Sequence, residues 1–226
     1  ELLALELDPW PDFVKPGELC LGERGQGTLF LAHDMGILAA CGKQAYPHDM
    51  EVEEAANYVL LSYAYWRRTA DSSLLRKHSE TIRRFLDFIV ACDTTGNGVP
   101  DRGCTNTIDD ASPASQFGRE QVYLAVKALA ALECGADLLE AAGYGRAVGP
   151  LGGASVDDYR RQAARGRTTV EYKGWLGDHY AVALDPSAEG LVDPWSGKAL
   201  HGELGGWDAY HIYTPNTLPI LDMLGR

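Results

Sequence analysis

Residues 51–66, Glu51-Val-Glu-Glu-Ala-Ala-Asn-Tyr-Val-Leu-Leu-Ser-Tyr-Ala-Tyr-Trp66, decide the fold. Val52, Ala55, Ala56, Val59, Leu60, Tyr63 and Ala64 recur at the spacing that places apolar side chains along one side of a helix, with Asp49 near the start as a candidate cap. Toward the C-terminus, Asp71-Ser-Ser caps a second periodic run: Leu74, Leu75, His78, Ile82, Phe85, Leu86, Ile89 and Val90. A third helix is expected over about 116–142; its Leu124-Ala-Val-Lys-Ala-Leu-Ala-Ala-Leu132 stretch suits an inner helix packed on several sides. Residues 144–155 are Gly-rich and read as a linker, 156–165 as a short polar helix, 168–183 as a short hairpin, and 202–216 as a loop crowded with aromatics. Toward the N-terminus, Pro9-Trp-Pro-Asp12 and Lys15-Pro-Gly-Glu18 are turn-rich, and Thr28-Leu-Phe-Leu-Ala-His-Asp-Met-Gly36 reads as a short apolar strand entering a polar loop. Helices joined by long loops describe an all-α toroid better than a four-helix bundle, whose loops are short.

The chain has 226 residues, 46% of them hydrophobic and 23% charged, as a soluble globular protein does. Twenty Lys and Arg against 32 Asp and Glu give a net charge of -12, which repels phosphate backbones and anionic lipids. Nucleic-acid and membrane partners are therefore not expected, and neutral substrates are favoured over anionic ones. Cys20, Cys41, Cys92, Cys104 and Cys134 form no CxxC pair and have no metal-ligand spacing, so reduced, mostly buried thiols and a cytoplasmic location are expected. No apolar run approaches the roughly 20 residues that span a bilayer, and the first residues lack a basic leader region. The absence of an initial Met suggests a missing N-terminal portion.

Between the second and third helices lies Cys92-Asp-Thr-Thr-Gly-Asn-Gly-Val-Pro-Asp101. Asp93, Thr95, Asn97, the Val99 carbonyl and Asp101 have the alternate-residue spacing of a calcium loop, but the closing Glu of an EF-hand is missing. The competing reading is a plain Asp/Asn/Gly turn. A structural calcium ion held by Asp93, Asn97 and Asp101 is thus one expectation, and no cofactor is required.

Two further sites carry carboxylates, His33-Asp34 and Asp109-Asp110. One of the paired aspartates can serve simply as a helix cap; an adjacent pair also creates the like-charge surroundings that raise a carboxyl pKa, as a general acid requires. A His-Asp pair after an apolar run is, alone, most simply a structural hydrogen bond. Trp207, Asp208, Tyr210 and Tyr213 share one loop, and aromatic faces with a carboxylate suit a pyranose; the alternative is that these aromatics plug the core. Tyr58, Tyr63, Tyr65 and Trp66 read as core, and Arg67-Arg68 and Arg160-Arg161 as solvated surface.

In order and spacing, Ala32-His-Asp-Met-Gly36, Tyr63-Ala-Tyr-Trp66, Asp93-Thr-Thr-Gly-Asn-Gly-Val-Pro-Asp101, Asn106-Thr-Ile-Asp109 and Tyr123-Leu-Ala-Val-Lys-Ala-Leu129 resemble the catalytic domain of the clan containing family 52 β-xylosidases and family 116 β-glucosidases. The resemblance covers about half the chain, roughly from Thr28 to Glu140. It implies an (α/α)6 barrel, here partial with about six helices and a short β-hairpin insertion, residues 1–226 forming part of one catalytic domain. It also implies cleavage of β-glycosides with retention. The family's Thr-Tyr-Asp acid/base segment maps onto Thr107-Ile108-Asp109, making Asp109 the catalytic acid/base, with Ile108 replacing the aromatic. The sugar-subsite motif maps onto His33 and Asp34, with Gly36 matching its glycine. Thr107, Trp207, Asp208 and Tyr210 complete the expected substrate contacts.

A retaining glycosidase needs two carboxyl groups about 5–5.5 Å apart. The family's nucleophilic Glu has no motif match among Glu1, Glu6, Glu18 and Glu23, so it is expected outside this chain. The expected partners are a small neutral β-xyloside or β-glucoside, the remainder of the catalytic domain, and a second copy of the chain. Three alternatives stand beside this reading: an inverting hydrolase on the same toroid, a non-catalytic carbohydrate-binding or structural module, and a metal-binding structural module.

Overall fold

The computed structural model describes residues 2–36, 44–46, 49–105, 119–144, 154–181, 183–185, 222 and 225. Its helices are α1 (Leu2–Leu7), α2 (Glu18–Leu21), α3 (Glu51–Thr69), α4 (Ser73–Ala91), α5 (Val122–Ala141) and α6 (Val156–Thr169). Four short strands, β1 (Val14–Pro16), β2 (Leu29–Leu31), β3 (Arg119–Gln121) and β4 (Ala183–Asp185), pair antiparallel as β1–β2 and β3–β4. The register sets Lys15 opposite Phe30, and Gln121 opposite Ala183. The architecture is all-α with small antiparallel additions, a partial array of helical hairpins.

The α3–α4 hairpin follows from its sequence. Val52, Ala55, Ala56, Val59 and Tyr63 bury one side of α3, and Leu75, Ile82, Phe85, Leu86 and Ile89 bury the facing side of α4. Ala70 adopts a left-handed conformation (φ 55°) and donates its N–H to the Trp66 carbonyl, which ends α3. Asp71 then accepts the Ser73 amide at 2.8 Å and the Tyr65 hydroxyl at 2.8 Å, as its place before the second helix suggests. Asp49 does not cap α3; it pairs with Lys15 of β1 at 2.6 Å. A small cavity lined by Tyr58, Tyr65, Trp66 and Leu75 lies within this hairpin, and Tyr58 and Tyr63 are buried, so the aromatic side of α3 belongs to the core.

Helix α5 is the central element, packed against α3, α4 and α6. Its small side chains (Ala125, Ala128, Ala131, Ala136) are buried on several sides and let the neighbours approach. It begins at Val122, later than expected, because Arg119–Gln121 is taken up in β3. Helix α6 opens with a capping box. The Ser155 amide donates to the Asp158 carboxylate at 2.8 Å, and the Asp158 amide donates to the Ser155 hydroxyl at 3.2 Å.

The hairpin expected over 168–183 is present but shorter: α6 runs on through Thr169 and a π-helical turn covers Val170–Gly174, so the antiparallel turn spans only 174–181, with a bridge between Trp175 and Tyr180 and the Leu176 and Ala181 amides donating to the His179 and Gly174 carbonyls at 2.8 Å. The β-branched Thr168 and Thr169 accommodate the helix because their hydroxyls donate back to the carbonyls of Ala164 (3.1 Å) and Arg165 (3.2 Å). Arg160 is also more than solvated surface; it reaches Asp137 at 2.9 Å and Glu140 at 2.8 Å on α5. Arg67, Arg68 and Arg161 are exposed. Among the described residues no helix is long and apolar enough to cross a membrane, and Cys20, Cys92, Cys104 and Cys134 are free thiols.

Candidate functional site

The loop after α4 is tied down by its own backbone. Asp93, buried at the end of the helix, accepts the Gly96 amide at 2.7 Å on one carboxylate oxygen, and the Gly98 amide and Gln162 side-chain amide at 2.8 and 2.7 Å on the other. Asp101 accepts both the amide and the hydroxyl of Thr94, at 2.5 and 2.6 Å. Asn97 accepts the Val99 amide at 2.8 Å and donates to Glu120 at 2.6 Å. The side-chain oxygens expected to face calcium are therefore engaged by N–H and O–H donors. Among the described residues no group of three or more His, Cys, Asp or Glu side chains is placed to hold a metal ion.

The loop also lies directly against α6. A Cβ on Gly98 (φ 93°) would sit 2.2 Å from the Gly166 backbone nitrogen, so only glycine permits this approach. Thr169 donates to the Asn97 carbonyl at 2.6 Å across the same contact. Glu120, a non-glycine residue at φ 51°, is buried and holds the loop from β3.

His33 and Asp34 sit where β2 opens into its loop. Asp34 accepts the amides of Gly36 (2.7 Å), Ala45 (2.8 Å) and Tyr46 (2.9 Å), and its contact with His33 is 3.4 Å. Burial works against its charge, but these donors outweigh that effect and hold the carboxyl down at about 2. The His33 ring stacks on Tyr46 with centroids 4.6 Å apart. Asp34 is thus an ionised anchor that presents His33.

A second group of buried polar residues lies between α3 and α5. Glu53, completely buried in the first turn of α3, accepts the Lys127 ammonium at 2.6 Å and the Tyr123 hydroxyl at 2.9 Å. Burial opposes the Lys127 charge, but Glu53 and Tyr123 outweigh it and keep the amine protonated. Glu54 is buried too, with a 3.3 Å contact from Asn57. Desolvation pushes its carboxyl up to about 7, against the pull of Asn57 and, through space, of His33 and Lys127, while the Glu53 charge adds to the rise. A carboxyl that exchanges its proton near neutrality can act as acid or base, and Glu54 lies within electrostatic reach of His33.

Glu53 meets Lys127 and Tyr123 between α3 and α5 with Glu54 beside it, His33 acts on Glu54 through space, and Asp93, Asn97 and Asp101 belong to a separate loop bonded within itself and to Gln162 and Glu120. Asp109, Thr107, Trp207, Asp208 and Tyr210 lie outside the described residues. Sequence reasoning missed Glu53 and Glu54. The signal for them was Lys127, a single cation inside an Ala/Leu helix, which when buried requires a carboxylate on a facing element.

Antiparallel helix pairs around a central helix, with a buried polar cluster at the head of one of them, define a helical-hairpin domain. Residues 23–187 match the family model of the glutaminase A six helical-hairpin domain, and the chain belongs to that family. Comparison with curated proteins gives no match.

Proposed function

We propose that this chain is part of the catalytic domain of a glycoside hydrolase acting on small neutral β-linked glycosides, a β-xyloside or β-glucoside, with retention and with Asp109 as general acid/base. The observation that carries the reading is Glu54. Its carboxyl is buried, burial pushes it up to about 7, and it feels through space the charge of His33, which belongs to the motif that resembles a sugar subsite. Glycosidic cleavage calls for surroundings that keep one carboxyl neutral; Glu54 supports such surroundings within electrostatic reach of His33, while in this reading the leaving oxygen is protonated by Asp109. Family membership supports it, since the matched segment spans His33, Glu54 and Asp109. In this reading His33 and Asp34 meet the sugar hydroxyls and Thr107 flanks the acid. Trp207 and Tyr210 offer their ring faces, Asp208 binds hydroxyls, and the nucleophile comes from outside the chain. Neutral substrates suit the -12 net charge, and free thiols suit a cytoplasmic setting.

A second reading has its own support. The family description names a glutaminase, and the same buried acid would serve hydrolysis of a carboxamide. Hydrolysis of p-nitrophenyl β-xyloside and β-glucoside, and ammonia release from glutamine, separate the two. Turnover of the aryl glycosides with retained anomeric configuration, reduced at least a hundredfold by Asp109→Asn, is expected. Ammonia release without glycoside turnover would replace this reading with the amidase. Sugar binding with neither activity would leave a binding module. For Asp109 in the acid role, the loss must be smallest on substrates with good leaving groups.

A further inference from the structure

We propose that Asn97-Gly98 is a self-modification site: it deamidates only when the loop after α4 opens from α6, and the carboxylate that results keeps the loop from reseating. Glycine follows Asn97, and with no side chain to hinder its nitrogen this pair is the sequence most open to attack of a backbone nitrogen on a side-chain amide. The seated loop blocks that attack at each partner. The Gly98 amide, the nucleophile once deprotonated, donates to the buried Asp93 carboxylate at 2.8 Å, and a negative acceptor holds its proton in place. The Asn97 side chain is held as well, donating to Glu120 at 2.6 Å and accepting the Val99 amide at 2.8 Å. Gly98 and Gly166 approach so closely that a Cβ on either would strike the backbone of the other, which leaves no room for the peptide to turn its nitrogen over the side-chain carbonyl. Thr169 fixes the same peptide from α6, donating to the Asn97 carbonyl at 2.6 Å.

Local opening frees the nitrogen. The Gly98 nitrogen, its proton passed to hydroxide, attacks the Asn97 side-chain carbonyl carbon; the bond from that carbon to the amide nitrogen breaks, and ammonia leaves with a proton from water, closing a succinimide ring. Water then adds to one of the two ring carbonyls. Addition at the side-chain carbonyl breaks its bond to the Gly98 nitrogen and gives aspartate, and addition at the main-chain carbonyl gives isoaspartate. One water is taken up and one ammonia released, with no change of oxidation state. Either product undoes the seat. In aspartate, the donor that Glu120 accepted is replaced by a carboxylate facing it, where Glu120 and Asp93 are already buried, and like charges there repel. In isoaspartate the main chain runs through the former side chain, gaining an atom next to the close approach of Gly98, and the carbonyl that Thr169 held becomes the free carboxylate.

The test incubates the full chain at mildly alkaline pH, folded and unfolded in urea, with peptide mapping that resolves asparagine, aspartate and isoaspartate at position 97. Conversion is expected to be at least about tenfold faster in the unfolded chain, and Thr169→Val, which removes one tie across the contact with α6, should speed the folded chain several-fold. Asn97→Asp, made directly, should lower the Tm by roughly 5 °C or more, and Asn97→Ser, which brings no charge, should lower it by less. Equal rates in the folded and unfolded chain would overturn the inference, as would no conversion in the unfolded chain, a rate unmoved by Thr169→Val, or an Asn97→Asp Tm no lower than that of Asn97→Ser. The rate comparison on the unsubstituted chain decides whether the fold guards the site even if a variant does not fold.

Discussion

The loop after α4 and the first turn of α3 both bury carboxylates, and they treat them in opposite ways. Asp93 and Asp101 are surrounded by amides and hydroxyls of their own loop, joined at Asp93 by the Gln162 side chain of α6, and these absorb the charge and convert it into shape. Glu54 has one long contact with Asn57 and a charged neighbour in Glu53, so its environment favours the proton. By sequence the loop is the more suggestive of the two, with its dense acidic and glycine spacing. By structure the helix end holds the carboxyl whose surroundings favour its proton near neutrality. What decides the role of a buried acid is the number of donors that reach it, and a contiguous acidic motif supplies those donors from its own backbone.

The largest expected effect breaks the helix-end cluster. Lys127→Met leaves Glu53 buried without its cation and should cost about 4 kcal/mol in urea unfolding; a Glu53→Gln, Lys127→Met pair should recover much of that. On the loop side, Gly98→Ala forces a Cβ into the Gly166 backbone at positive φ and should cost about 3–4 kcal/mol. Gly96→Ala, with open space around it at φ 78°, should cost only about 1 kcal/mol. Equal costs for the two glycines would show that the loop does not rest on α6.

Next comes pH. The Glu54 carboxyl rises on folding from the ordinary 4.5 to about 7, so its favourable contribution is complete below pH 4.5 and is lost as pH climbs through about 7. Glu54→Gln should remove a stability decline of about 3 kcal/mol between pH 4.5 and pH 8, measured by chemical unfolding at a series of pH values. An unchanged pH profile would detach Glu54 from any acid–base role. The smallest effect sharpens the loop side. Because the Asp93 and Asp101 oxygens are already engaged, a chelator should move the Tm by less than about 1 °C, and a larger drop would restore calcium to the loop.

Much of the helical framework was legible because period and burial agree. Residues 51–69 and 73–91 alternate apolar and polar positions as an amphipathic pair must, and the Ala/Leu run of α5 announces burial on several sides. The strand segment at 29–31 was legible as a short apolar run before a polar loop. The extension of α6 through Thr168 and Thr169 was not. Local preference points those β-branched residues toward a strand, and the side-chain bonds back to the helix and to Asn97 that override it depend on a loop distant in sequence. For the site, His33 and Asp34 stood out as a motif. Glu53 and Glu54 did not, because two glutamates opening a helix read as ordinary first-turn acids until Lys127 of another helix is placed over them.

The β3–β4 pairing bears on how the molecule assembles. Helices α3 and α4 are neighbours in the chain and can zip together through local contacts. Gln121 and Ala183, by contrast, find each other only after the whole α5–α6 hairpin between them has closed. This small sheet is therefore expected to form late in folding. A refolding experiment that follows Trp175 fluorescence beside β4 should report a slower phase than far-ultraviolet ellipticity, which follows the helices.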